Sequence, residues 1–164
     1  MIKKLSLAVG FLCTANIAAA AIDIIPENAE IITENFKVVD EVPADSTYQI
    51  NSVKSAHDNS EKLGTLGNMS VVSGEKDPDS IAYIKTDSGN NFVINDTFMV
   101  KCRTNADCIP QIYEHIQIGS SRYFAVTVKD IEEWKQVYEY LKNEPQVASF
   151  APSLDHGLRL DHKK

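Results

Sequence analysis

The residues of this chain best suited to chemistry are four histidines, His57, His115, His156 and His162, and the cysteine pair Cys102 and Cys108 in KCRTNADC. Two of the histidines belong to the pairs Asp155-His156 and Asp161-His162, six positions apart. In an extended chain an even spacing puts both pairs on one side. Imidazole nitrogens and carboxylate oxygens placed that way are a conceivable ligand set for a weakly held metal. The alternative is a set of solvated polar residues flanking the leucines of the same segment. None of the histidines lies in a nucleophile or metal motif. The sequence has no glycine-rich phosphate loop and no serine in a GxSxG context. The expectation is a protein that is not an enzyme and needs neither metal nor cofactor.

What the cysteines do depends on compartment. The chain begins MIKKLSLAVGFLCTANIAAA, with Lys3 and Lys4 as a basic start, Leu5 to Leu12 as an apolar stretch and Ala18 to Ala20 as a small-residue cleavage site. That is the layout of a secretory signal peptide over residues 1–20; a membrane anchor needs about 20 apolar residues. Cys13 would leave with it. The expected location is the periplasm, or the medium in company with a partner. Export places Cys102 and Cys108 where disulfides form, and a bridge across so short a loop contributes about 2–3 kcal/mol when unstrained. A redox CxxC or a zinc site requires another spacing or more ligands.

Cleavage after Ala20 leaves 144 residues of the 164, enough for one domain, or for one small domain with an appended half. Without Lys3 and Lys4 the 16 basic residues fall to 14 against 23 acidic ones, a net charge of −9. A phosphate-binding surface needs clustered Lys and Arg, so this balance argues against nucleic acid and anionic membranes as partners.

The elements that would position these residues fall into two groups. Residues 21–95 form a β-rich extension. IITENFKVV, TYQINSV, MSVV, IAYIK and NFVIN are separated by turn-forming clusters, and IAYIKTDSGNNFVIN reads as a hairpin turning at Ser88, Gly89 and Asn90. His57 to Gly67 is polar and reads as a loop. From 96 to 152 the pattern is clearer. TFMVKC, HIQIG, RYFAVTV and VASFAP read as strands, and Ala106 to Glu114 as a short helix that Pro110 limits. DIEEWKQVYEYLKNEP is the strongest helix. Asp130 and Glu133 mark its start, and Ile131, Trp134, Val137, Tyr138 and Leu141 share one face. The order strand, helix, strand, strand, helix, strand predicts an antiparallel four-stranded sheet with both helices on one face. The fold class is thus α+β, a C-terminal ferredoxin-like (βαββαβ) unit carrying a β-rich N-terminal extension.

The segment YFAVTVKDIEEWKQVYEYLKNEPQVASFAP resembles the second half of the propeptides of subtilisin-like proteases. The matching positions are Leu141, Lys142, Pro145, Val147, Phe150 and Pro152. The family often has an acidic residue before that last proline and Asp or Asn after it, where this chain has Ala151 and Ser153. The resemblance covers Phe98 to Pro152 and leaves the first half of the mature chain without a counterpart. It implies a domain whose sheet packs on two surface helices of a protease, speeds its folding, and lays its C-terminal tail in the active-site cleft. With no catalytic domain following Lys164, the chain would act in trans. The external chaperone of the secreted kexin-like serine protease of aeromonads acts in this way.

The resemblance therefore implies a heterodimer with a subtilisin/kexin-like serine protease. The tail 153–164, SLDHGLRLDHKK, would be the cleft-binding strand: Ser153, Leu154, Asp155, His156, Gly157, Leu158, Arg159, Leu160, Asp161, His162, Lys163 and Lys164. An extended segment pairs through its main chain while pockets read alternate side chains. Arg159, or Lys163 with Lys164, would suit a protease that cuts after basic residues. The competing reading is a disulfide-stapled periplasmic module that binds a protein unrelated to proteases, with its fold as scaffold only.

Overall fold

The computed structural model describes residues 24–40 and 60–157. The signal segment, the run TYQINSV, His57 and positions 158–164 lie outside the described residues. Among the described residues, two antiparallel sheets and one helix make up an α+β fold. The strands are β1 (Glu30–Ile32), β2 (Phe36–Asp40), β3 (Lys62–Leu66), β4 (Met69–Ser73), β5 (Ser80–Lys85), β6 (Phe92–Cys102), β7 (Glu114–Gln117), β8 (Tyr123–Thr127) and β9 (Val147–Asp155), and the helix is α1 (Ile131–Asn143).

β6 organises the larger sheet. Its eleven residues span the junction expected near position 95, so the segments on either side of it share one strand. β9 runs antiparallel along it from Cys102↔Val147 to Val93↔Asp155. β5 pairs with the first half of β6 and β8 with the second, Tyr83↔Val93 and Met99↔Ala125 being typical pairs. The two meet at Asp96, whose amide donates to the Asp79 carbonyl (2.8 Å) and whose carbonyl accepts from the Val128 amide (2.8 Å). β1 extends the sheet beyond β5, and β7 extends it beyond β8. Over its second half the strand order is β9-β6-β8-β7. The expected hairpin is present as β5–β6, turning through residues 86–91.

α1 forms where the periodicity places it. The Asp130 carboxylate accepts from the amides of Glu132 (3.0 Å) and Glu133 (2.8 Å), which satisfies two of the amides a helix start leaves bare. Its buried stripe, Trp134, Val137, Tyr138 and Leu141, packs on Phe98, Val100, Phe124 and Val126 of the sheet. Trp134 lies 5.2 Å from Phe98 and stacks on Tyr138 at 5.3 Å, ring centre to ring centre.

The earlier helix does not form: residues 103–113 are turns and bends, so one helix rather than two covers the sheet. The Asp107 side chain accepts from the Ile109 amide (2.8 Å), a local bond that competes with helical pairing. Pro110 has no amide to donate. The loop is held instead by the Cys102–Cys108 disulfide, which spans 5.8 Å between Cα atoms, and by the Tyr140 hydroxyl donating to the Cys108 carbonyl (2.9 Å).

The smaller sheet, in the order β2-β4-β3, packs on the other side of the N-terminal half. Phe36, Leu66, Met69 and Val71 close over Tyr83 and Val93 to make a second core. Two expectations change here. IITENFKVV is two strands in different sheets, broken at Asn35, which adopts φ 55°. The segment read as a loop up to Gly67 contains β3, whose hairpin with β4 turns through Gly67 and Asn68.

Candidate partner-binding surface and tail exit

The second half of the large sheet has α1 on one face only. On the other face, register brings Ile116, Ala125, Met99 and Ala151 into a single row across β7, β8, β6 and β9. Alongside it lie Tyr123, Lys101 and Ser149. In that row the long Met99 side chain stands between two alanines, Ala125 and Ala151. Met99 is 43% exposed, Ile116 67% and Tyr123 42%, although Met99 sits on the central strand. These large apolar side chains share one open face of the sheet, a feature that makes it a candidate contact surface. The Lys101 ammonium lies 5.3 Å from the centre of the Tyr123 ring, a cation–π contact that leaves one positive charge at the border of the patch.

Electrostatics are concentrated at the edge of the same sheet, where β7 meets the disulfide loop. The two ring nitrogens of His115 each face an acceptor: Nδ1 the Tyr113 carbonyl and Nε2 the Asp107 carboxylate, both at 2.7 Å. Only the imidazolium donates to both. Burial disfavours that charged form, but the Tyr113 carbonyl and the Asp107 carboxylate outweigh it, and the His115 pKa is raised. Burial likewise acts to raise the pKa of Asp107, while the Ile109 amide and His115 prevail and lower it. The pair fastens the loop to the edge strand.

The expected tail divides. Ser153, Leu154 and Asp155 are the last three residues of β9, held by Ile94↔Leu154 and Val93↔Asp155. Asn95 donates to the Ser153 hydroxyl (3.2 Å), and Leu154 packs against the main core. The His156 ring lies 5.7 Å from that of Phe92, and Gly157 is buried against the β3–β4 turn. A strand extended through Asp155 finds its partners in this chain's own sheet, and Gly157 packs on the β3–β4 turn. Leu158, Arg159, Leu160, Asp161, His162, Lys163 and Lys164 lie outside the described residues. So does the second Asp-His pair. Among the described residues no three His, Cys, Asp or Glu side chains gather in a way that could hold a metal, and no helix is long and apolar enough to cross a membrane.

Met99, Ile116 and Tyr123 were not among the residues singled out from sequence. The signal was present in the strict alternation of RYFAVTV, where Tyr123, Ala125 and Thr127 oppose buried Phe124, Val126 and Val128. No protein-family model, curated protein or solved structure matches the chain.

Proposed function

We propose that this protein is an exported, trans-acting chaperone and inhibitor of a subtilisin/kexin-like serine protease. The observation that carries the reading is the apolar row Ile116–Ala125–Met99–Ala151, exposed across the sheet face that α1 leaves uncovered. One long side chain between two short ones would suit a pair of helices on a partner, which is how propeptides of the resembling family engage their proteases. We read the order β9-β6-β8-β7, with a stapled loop where the first helix was expected, as a variant of the ferredoxin-like arrangement, and on that reading it supports the same function. β9 ends at Asp155, three positions before Leu158 in sequence; on this reading the domain would dock through its sheet while the tail enters the cleft.

Capture from the host's exported fractions tests the proposal. The baits are the mature chain, a form ending at Gly157, and Met99→Glu. A subtilisin-like protease held by the first bait and weakly by the third supports docking through the sheet. Recovery of a different envelope protein, and no protease, would favour the stapled binding module instead.

A further inference from the structure

The outer edge of β9 adjoins a groove that the protease reading leaves unused. Among the described residues β6 is the only strand that pairs with β9. Which main-chain groups of β9 face outward follows from its neighbour. Cys102 of β6 donates its amide to the Arg122 carbonyl (2.9 Å) and Asp96 to that of Asp79 (2.8 Å), both on the side away from β9. Main-chain groups alternate in direction along a strand, so Met99 and Lys101 turn theirs toward β9. Their partners Ala151 and Ser149 therefore face inward, and Phe150 and Pro152 face outward.

Those two residues differ in what they offer an added strand. Phe150 has both an amide and a carbonyl, whereas a proline has no amide to donate. Proline on an edge strand restricts further pairing, so this edge accepts a short segment centred on Phe150 rather than a long one. The groove lies at the same place. It encloses about 470 Å³ between the end of α1 and the start of β9, with Leu141, Val147 and Phe150 as apolar lining. Arg103 and Lys142 line it as well. Its acidic residue, Glu144, is engaged in the turn, where the carboxylate accepts from the Gln146 amide (3.0 Å). The Arg103 Nε donates to the Pro145 carbonyl (2.7 Å), which fixes that side chain at the groove. Arg122 stands beside it and donates through Nη1 to the Arg103 carbonyl (2.8 Å). In a chain of net charge −7, three cations gather at this corner.

A strand added antiparallel to β9 runs toward the start of β9. Its C-terminal end arrives at the turn 144–146 and at these cations. We infer that the groove binds the C-terminal segment of a partner protein: the segment's main chain pairs with Phe150, and its terminal carboxylate meets Arg103 and Lys142. An apolar side chain of the segment enters between α1 and β9. This site is independent of the protease reading. Phe150 meets Tyr138 of α1, whereas Ala151 belongs to the Met99 row on the opposite face, so neither surface uses the side chains of the other.

The probe is a pool of acetylated pentapeptides, randomised at each position, with a free C-terminal carboxylate; a second pool ends in an amide. Both are passed over the immobilised mature chain, and retained peptides are counted by mass spectrometry. The free-acid pool should be retained about tenfold more than the amidated pool, the worth of one charged hydrogen bond. Arg103→Gln and Lys142→Gln should each reduce that retention. Lys142 is exposed, so its replacement serves should Arg103→Gln disturb the turn. With a retained peptide bound, hydrogen exchange should slow at the Phe150 amide and stay unchanged at Ser149 and Ala151, which already face β6. Equal retention of the two pools would overturn the terminal carboxylate, and enrichment of acidic side chains would then make an internal acidic segment the occupant. No retention of either pool, or an unchanged exchange rate at Phe150 with peptide bound, would overturn the site.

Discussion

Replacing Asp107 by asparagine should make the stability of this protein less dependent on pH, in a direction that the geometry dictates. The amide side chain would keep the acceptor used by the Ile109 amide but lose the charge facing His115. With its pKa raised in the folded state, His115 contributes stability that is complete below its ordinary value of 6.5 and is lost as pH rises through the folded value. Asp107, lowered, contributes above its ordinary value of 3.8, and loses that contribution as pH falls through the folded value. The pair is therefore fully effective between those two values and fades on the alkaline side. Charged hydrogen bonds are worth about 1.5–3 kcal/mol when buried. His115 is well covered at 13% side-chain exposure, but Asp107 is 45% exposed, so solvent screening cuts the figure. About 1 kcal/mol remains, roughly 4 °C in melting temperature for a chain of this size. Thermal unfolding followed by circular dichroism at about pH 5 and about pH 8.5, on either side of the ordinary imidazole value of 6.5, reads it directly. The native protein should exceed Asp107→Asn by that margin at the lower pH and by much less at the higher. An equal gap at both would refute the assignment of an imidazolium at His115.

Three further substitutions probe the scaffold. Removing the disulfide with Cys102→Ala and Cys108→Ser should lower stability by about 2 kcal/mol in chemical unfolding, the loop-closure value for so short a ring. Asp130→Ala should cost about 1 kcal/mol in the same assay, because the amides of Glu132 and Glu133 lose their acceptor. Tyr83→Phe should cost no more than about 1 kcal/mol, since the Thr65 carbonyl keeps its bond from Asn91 when the Tyr83 hydroxyl is gone.

What could be read in the sequence was whatever is encoded locally. α1 was legible because its cap, its stripe and its terminating Pro145 all lie within sixteen residues. The β5–β6 hairpin was legible from its turn. β3 was not, because KLGTL is polar on its outer side and interrupted by Gly64, and its strand character comes from pairing with β4. The reason for that glycine is distant: the Tyr83 hydroxyl occupies the space of a Cβ. The missing first helix shows a local preference overridden by Pro110, an Asx bond and the disulfide. As for the candidate surface, alternation reveals that Tyr123 and Ala125 oppose the core, but only register aligns Ile116, Met99 and Ala151 with them. The tail was least legible. SLDHG carries no mark that it finishes a strand, and the contact that ends it joins positions 67 and 157.

The central claim is that this chain folds and restrains a protease in trans. A subtilisin-like protease from the same exported fraction, unfolded in denaturant and diluted with or without the mature chain, tests it in one measurement. The proposal predicts that refolding depends on the chain and gives an equimolar, inactive complex by size exclusion. A refolding yield that is the same with and without the chain, and free protease that stays fully active in its presence, would contradict it.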